Sequence, residues 1–191
     1  MITASVWVDT ETTGIDPRIY GAFEIAVLVY IGANPVFEKL YRLNPLNEEI
    51  RWSESAFKVN GVAEQTILSY PPPGEVVRQM AEDLRQNMPA EKYVFAGYNC
   101  KFDYGHIEAL FSRNGVLMGD FFNGSLIDVL ELVRKASDRG LLPATKDRKL
   151  ETMAKALGIP HENAHTALDD IKATRKLYET IYFLSRNGGR K

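Results

Sequence analysis

The N-terminal part of the chain alternates between apolar runs and short segments rich in Gly, Pro and Asn. Three of these runs have the β-branched and aromatic content of strands. The connections between them are too short to hold a crossover helix, which favours antiparallel neighbours. The pattern therefore predicts a three-stranded meander, with strands at Ser5–Thr10, Phe23–Ile31 and Val36–Leu43.

The remainder of the chain changes to a helical period, in which apolar residues recur every three or four positions. Strand-like runs interrupt it at Tyr93–Gly97 and at Ser125–Val129, and the second leads into a helix through Arg134. Strands alternating with helices indicate βα units, so we expect a mixed sheet with helices packed against it. Other helices are predicted at Glu49–Lys58, Glu75–Met88, Phe102–Arg113, Leu150–Leu157 and Thr166–Leu184.

Composition places these elements in one ordinary soluble domain. The 191 residues are 45% hydrophobic and 25% charged with a net charge of -2, so any contact with nucleic acid depends on local patches. We expect residues 1–186 to form a single domain and 187–191 a flexible tail. One cysteine cannot form an internal disulfide, and no apolar run is long enough for a bilayer. Both features favour a cytoplasmic protein without membrane contact.

The first strand ends in two carboxylates, Asp9 and Glu11, followed by the turn Thr12-Thr13-Gly14. Side chains alternate along a strand, so both acids project to the same side. Two like charges this close repel each other unless a cation lies between them, and a divalent ion is the usual cation. The pair therefore predicts part of a metal site.

A second polar segment, Tyr98-Asn99-Cys100-Lys101-Phe102-Asp103, follows the strand Tyr93–Gly97. It places Asp103 in the first turn of the next helix. Each polar residue has an ordinary structural explanation when taken alone, because an acid in a first turn complements the helix dipole and Asn99 is a good N-cap.

A third segment, His165-Thr166-Ala167-Leu168-Asp169-Asp170, opens the last helix. Thr166 followed by Asp169 resembles a capping box, which leaves Asp170 able to face the sheet. His165 lies on the preceding turn, from which it can approach Asp170. A lone histidine at such a position is commonly structural.

Together, the motifs DTETTG, YNCKFD and HTALDD resemble those of the DEDDh family of 3′–5′ exonucleases, the DnaQ-like branch of the RNase H-like superfamily. The resemblance extends over roughly Ser5 to Leu184, and the His five residues before the last Asp separates this branch from one that uses Tyr. It implies an α/β fold with a mixed five-stranded sheet, the first three strands antiparallel, flanked by helices. The sequence departs from the family pattern at two places. Tyr98 stands where many relatives have His, and the segment that is Phe23-Glu24-Ile25-Ala26 here often ends in Gly in relatives. Both departures bear only on substrate preference.

The resemblance also implies roles for individual residues. Four acids would hold two divalent cations, Mg²⁺ or Mn²⁺, with Asp9 bridging both, and His165 would be the general base. Oxygen-only ligation favours these ions over zinc. The implied catalytic set is Asp9, Glu11, Asp103, His165 and Asp170, and the implied substrate-binding set is Thr12, Thr13, Gly14, Asn99 and Phe102.

Other reactive side chains fit this chemistry less well. His106 has a helix-surface explanation, His161 lies in a loop with no fixed relation to the acids, and Cys100 lacks a base partner. The basic segment 134–149 is either a solvated loop or a patch that follows the phosphate backbone.

The function expected from the resemblance is metal-dependent 3′–5′ hydrolysis of single-stranded or frayed nucleic-acid ends, releasing nucleoside monophosphates. DNA is the favoured substrate, with a polymerase or repair complex as partner. Two alternatives stay open at this point, an exoribonuclease acting on RNA ends or short oligonucleotides and an inactive nuclease-like binding module. Sequence leaves the oligomeric state, monomer or homodimer, open as well.

Overall fold

The computed structural model describes residues 4–47, 49–87, 92–161 and 166–187. Its centre is a five-stranded sheet with strands β1 (Ala4–Thr12), β2 (Ala22–Ile31), β3 (Asn34–Arg42), β4 (Tyr93–Gly97) and β5 (Phe122–Asp128). Their spatial order is β3-β2-β1-β4-β5. The first three strands are antiparallel, β4 runs parallel to β1, and β5 runs parallel to β4. The predicted mixed sheet is therefore confirmed.

Helices cover both faces of this sheet, because the middle strands are apolar on both sides. The helices are α1 (Glu54–Asn60), α2 (Glu64–Leu68), α3 (Pro73–Asn87), α4 (Lys101–Arg113), α5 (Val129–Asp138), α6 (Leu150–Ala156) and α7 (Ala167–Asn187), with a 3₁₀ turn at Met118–Asp120. One core packs Val6, Val8 and Phe95 against α3 and α4, and the other packs Trp7 and Ala96 against α5, α6 and α7.

The carboxyl end of β1 is the edge at which polar groups collect. Since β1, β4 and β5 are parallel, their carboxyl ends meet on one side of the sheet, where the turns into α4 and α5 begin. In the β1–β2 ladder, Glu11 lies opposite Glu24, and a register shift follows between Glu11 and Thr12. The sheet topology thus brings the first two sequence motifs to the same edge.

The largest error in the predicted elements concerns Glu49–Lys58. The helix begins only at Glu54, because the side-chain Oδ1 of Asn47 accepts hydrogen bonds from the amides of Glu49 and Ile50 and holds that segment in a turn. The short helix α2 was not predicted. By contrast, α7 starts next to the predicted Thr166 and continues to Asn187, and the rest of the predicted tail lies outside the described residues.

Among the described residues, no helix combines the length and the apolar character that crossing a membrane requires.

Candidate active site

Three carboxylates meet at the carboxyl end of β1. Asp9 and Glu11 come from the strand, and Asp170 comes from the first turn of α7. The Asp170 amide donates to the Thr166 carbonyl at 3.0 Å. One oxygen of each carboxylate lies within 4.8 Å of the others. All three residues are only partly buried. A divalent cation placed among these oxygens would have at least three hard ligands, so the donor set fits the predicted metal chemistry.

Asp103 is held beside this cluster by Thr10. Its Oδ1 accepts one hydrogen bond from the Thr10 amide at 3.0 Å and another from the Thr10 hydroxyl at 2.8 Å. Asp103 is buried, and its charge acts on Asp9 more strongly than that of any other acid. Thr10 projects to the opposite side from Asp9 and Glu11, so one strand supplies two acids and the anchor of the third.

Replacing Thr10 by Val should weaken the site without unfolding the protein. The change keeps the shape and the amide bond but removes the hydroxyl donor, so Asp103 loses one of two fixed contacts. We expect about a tenfold loss in Mn²⁺ affinity or in turnover, as for other partners of ligating carboxylates. The Mn²⁺ concentration that gives half-maximal activity, together with turnover at saturating Mn²⁺, measures the effect. The matched variant Thr180→Val removes a hydroxyl that donates to a backbone carbonyl three turns along α7, and equal losses in both would contradict the assignment.

The electrostatics of the cluster favour carboxylates that bind a proton or a cation over carboxylates that carry an unpaired negative charge. Burial, followed by the charges of Asp103, Asp170 and Glu11, raises the pKa of Asp9 well above its usual value. Burial and the Asp170 charge raise the pKa of Glu11 to about 8. Burial raises the pKa of Asp103 to about 7, although the two Thr10 hydrogen bonds oppose the shift. The shared cause is the crowding of like charges away from water, which a bound cation would relieve.

A further acid, Glu24 on β2, ties the start of α7 to the sheet. Its Oε1 accepts from the Ala167 amide at 3.3 Å, and its Oε2 accepts from Arg42 Nε at 2.9 Å. An acid is favourable at this helix end because it meets the positive pole of the helix dipole. Sequence reasoning noted the segment only as a departure, although an acid inside an otherwise apolar strand was a usable signal.

The predicted general base, His165, lies outside the described residues. The structure places a different histidine, His161, at the cluster, where its Nε2 donates to Asp170 Oδ1 at 2.5 Å. The side chain of His161 is only 6% exposed. The interpretation of His161 as a loop residue with no fixed relation to the acids is therefore wrong, because its side chain contacts Asp170 directly.

The turn Thr12-Thr13-Gly14 is fixed by its own side chains. The Thr12 hydroxyl donates to the Gly14 carbonyl at 2.8 Å, and the Thr13 hydroxyl accepts from the Gly21 amide at 3.0 Å. A Cβ on Gly14 would lie 2.3 Å from the ring of Tyr20, so only glycine fits there. The backbone of the turn is fixed as well, because the carbonyls of Thr12 and Thr13 accept from the Asn60 side chain at 3.0 Å and the Ser53 amide at 2.8 Å.

Asn99 lies in the turn before α4, and Phe102 lies in the first turn of that helix. Asn99 is exposed and has a left-handed φ of 56°. The ring of Phe102 is half-buried and packs 4.7 Å from that of His106. His106 is buried and donates from Nε2 to the Ile15 carbonyl at 3.2 Å, so its predicted helix-surface position is wrong. Its role is to support the loop that follows Gly14.

Cys100 takes no part in this chemistry. Its side chain is buried, and burial raises the pKa of the thiol to about 12, which disfavours the thiolate needed for nucleophilic attack. Its side chain belongs to the hydrophobic core that packs against α3 and α4.

The basic segment 134–149 is anchored beside the second motif. The hydroxyl of Tyr98 donates to the Arg148 carbonyl. Some of the positive charge of the segment is paired, since Arg134 contacts Glu131 and Arg148 lies 3.4 Å from Asp138. The segment is therefore close to the site, with part of its positive charge already balanced.

The family assignment follows from this fold and from direct comparison. A family described as exonuclease matches residues 6–178, most of the chain. The chain belongs to this exonuclease family, the DnaQ-like members of the RNase H-like superfamily, and the resemblance predicted from the motifs is confirmed.

Relatives carry this domain within longer proteins. DNA polymerase III PolC-type of Bacillus cereus is 27% identical over 87% of this chain and 10% of its own length. The 3′-5′ exonuclease DinG of Staphylococcus epidermidis is 26% identical over 94% of this chain and 20% of its own length. The chain thus spans a fifth or less of these relatives.

Solved structures support the fold. A zinc-bound complex of E. coli exonuclease I with single-stranded DNA superposes with a TM-score of 0.82, at 19% identity, over 98% of this chain and 42% of that one. Exonuclease I from Methylocaldum szegediense gives a TM-score of 0.80 at 22% identity, over 97% of this chain and 41% of that one.

Proposed function

We propose that this protein is a metal-dependent 3′–5′ exonuclease that hydrolyses the terminal phosphodiester of single-stranded or frayed DNA. The observation that carries the proposal is the convergence of Asp9, Glu11 and Asp170 within 4.8 Å, at the sheet edge of an exonuclease-family fold. Asp103, fixed by Thr10, extends this cluster. Phosphodiester hydrolysis needs an activated water and a stabilised leaving oxygen, and both need positive charge close to the phosphate.

Two divalent cations, Mg²⁺ or Mn²⁺, are the cofactors that we propose. Asp9, Glu11 and Asp170 would hold one ion, and Asp9 with Asp103 would hold the second. When bound, the ions would lower the pKa of the attacking water and stabilise the leaving oxygen. The protein's own part is to fix the acids through Thr10 and Glu24. His165 would accept the proton of the attacking water.

Contacts to the substrate come from groups around this cluster. The backbone of Thr12-Thr13-Gly14 and the side chains of Asn99 and Phe102 would bound the seat of the 3′-terminal nucleotide. Ile15, next to Gly14, is 79% exposed and offers an apolar surface to an unstacked base. The basic segment 134–149, anchored through Tyr98, would follow the phosphates of the same strand.

DNA is favoured over RNA because a polymerase is among the relatives and because E. coli exonuclease I was solved with single-stranded DNA. A polymerase or repair complex is the corresponding partner. Discrimination between DNA and RNA would depend on a contact to the 2′-hydroxyl.

The test uses 5′-labelled DNA and RNA oligonucleotides with Mg²⁺, Mn²⁺ or EDTA. A metal-dependent ladder that shortens from the 3′ end of DNA supports the proposal, and faster degradation of RNA would assign the site to RNA. Intact oligonucleotides of both kinds, with protein shown to be folded, would overturn it and leave a binding module.

The thermal stability of the metal-free protein should fall as pH rises from about 5.5 to 8. Glu11 and Asp103 have folded-state pKa values of about 8 and about 7, above those of the unfolded chain. The folded state therefore binds more protons throughout this window, and linkage makes stability decrease as they are lost. We expect a cost of about 2 kcal/mol, which lowers Tm by about 4–8 °C. Thermal scans in EDTA at both pH values measure it.

Two controls isolate the site from other titrating groups. Glu11→Gln should reduce the fall in Tm, because the group with a pKa of about 8 is gone. Saturating Mn²⁺ should raise Tm more at pH 8 than at pH 5.5, since the ion competes with protons. A Tm indifferent to Mn²⁺ at pH 8 would contradict the metal site.

A further inference from the structure

Asp128 ends β5 and joins two segments that are far apart in sequence. It lies opposite Gly97 in the parallel β4–β5 ladder, at the carboxyl edge of the sheet. Its Oδ1 accepts a hydrogen bond from the Leu130 amide at 3.0 Å, which caps α5. The same oxygen accepts from the Asn99 amide, also at 3.0 Å. One carboxylate oxygen therefore holds both the start of α5 and the turn before α4.

The turn that Asp128 reaches has an unusual backbone. Asn99 has a φ of 56°, and it is the single non-glycine residue with positive φ in the described part of the chain. This left-handed conformation is unfavourable for an L-residue, although less so for Asn, so it persists where contacts hold it. The turn is also closely packed, because a Cβ on Gly97 would lie 2.8 Å from the Val8 carbonyl.

Downstream of this turn the chain carries a group proposed to meet substrate. The Phe102 amide donates to the Asn99 carbonyl at 3.0 Å, so the orientation of Asn99 passes directly into the first turn of α4. Asp103, in contrast, has its own anchor on Thr10. Loss of the Asp128 contact should therefore disturb Asn99 and Phe102 while leaving the carboxylates in place.

We propose that Asp128 is a positioning residue that sets the conformation of the Asn99 turn and thereby the seat of the 3′-terminal nucleotide. The inference rests on the proposed exonuclease function. Its alternative is that Asp128 serves only as the N-cap of α5, and the two contacts of its Oδ1 allow these roles to be separated.

The substitution Asp128→Ser separates the positioning role from the N-cap role. Serine is as good an N-cap as aspartate, so α5 keeps its cap, but the hydroxyl lies closer to the main chain and falls short of the Asn99 amide. Asp128→Asn keeps an acceptor oxygen of the same reach and should restore both contacts. Asp120→Ser makes the same change at an exposed position on the 3₁₀ turn and serves as the control.

The expected result for Asp128→Ser has two parts. Hydrogen exchange at the amides of residues 98–103 becomes faster while Tm stays close to that of the wild type, and KM for the oligonucleotide rises about tenfold with a smaller change in kcat. Asp128→Asn regains most of the lost affinity. Asn99→Gly adopts the left-handed turn without strain, so adding Asp128→Ser to it should change KM little further.

Two outcomes overturn the proposal. Exchange and KM in Asp128→Ser that match the control would reduce Asp128 to a helix cap. An equal loss in Asp128→Asn would assign the effect to its charge. If the wild-type protein degrades no oligonucleotide, the proposed function fails, and hydrogen exchange alone still supports or overturns the positioning of Asn99.

Discussion

Asp9→Asn should abolish exonuclease activity, with a loss in kcat of more than about a thousandfold, which corresponds to about 4 kcal/mol of barrier. Asp9 lies between the other acids, and the charges of Asp103, Asp170 and Glu11 all act on it. It is the ligand proposed to bridge both cations. An amide keeps the shape of the side chain but removes the charge that attracts the ions, so the fold survives while the metal site fails.

The same substitution should stabilise the metal-free protein. Burial and like charges raise the pKa of Asp9, which means that its ionised form is unfavourable in the folded state. Replacing it by a neutral amide removes this repulsion. We expect a gain of about 1 kcal/mol, equivalent to about 2–4 °C in Tm at pH 8 in EDTA. Opposite changes in activity and stability are typical of residues retained for function.

Asp120→Asn is the matched control for both measurements. It makes the same change at an exposed position outside the cluster and should alter neither kcat nor Tm. An Asp9→Asn protein that retains more than a tenth of wild-type activity would contradict the two-metal site. One that unfolds in EDTA would contradict the electrostatic account.

Sequence anticipated the features that depend on local pattern. The alternation in Val6-Trp7-Val8-Asp9-Thr10-Glu11 placed both acids on one side of a strand, and the structure has them there. The capping pattern at Thr166 placed the start of α7 within one residue. Both inferences used only neighbours in the chain, for which periodicity and helix-end chemistry are informative.

The contacts that hold the site were not predictable in the same way. Thr10 reaches Asp103 and Asp128 reaches Asn99 across long separations in sequence, and each pairing exists only once the parallel strands are adjacent. The contact between His161 and Asp170, nine residues apart, likewise could not be read from local periodicity. The prediction that a helix begins at Glu49 is wrong for a local reason, because the hydrogen bonds of the Asn47 turn compete with helical hydrogen bonds.

His165→Ala should lower kcat by about 10²–10⁴, the usual contribution of a positioned general base. Two histidines precede Asp170 closely in the sequence, His161 and His165. The structure describes the first of them, whose Nε2 donates to Asp170 Oδ1. That contact argues against His161 as the base, because its nitrogen is already committed to a carboxylate proposed to bind metal. A hydrogen-bonded partner of a ligating carboxylate orients it and tunes metal affinity.

The two histidines should therefore affect different quantities. His165→Ala should lower kcat at saturating Mn²⁺ with little change in the concentration of Mn²⁺ that gives half-maximal activity. His161→Ala should raise that concentration by about 10–100-fold, with most of the lost activity recovered when Mn²⁺ is increased. Added imidazole should restore part of kcat in His165→Gly, where the missing side chain leaves room for the free base, but not in Asp9→Asn. The reverse pattern, a kcat defect confined to His161→Ala, would transfer the role of base to His161 and make its contact with Asp170 a feature of the metal-free state alone.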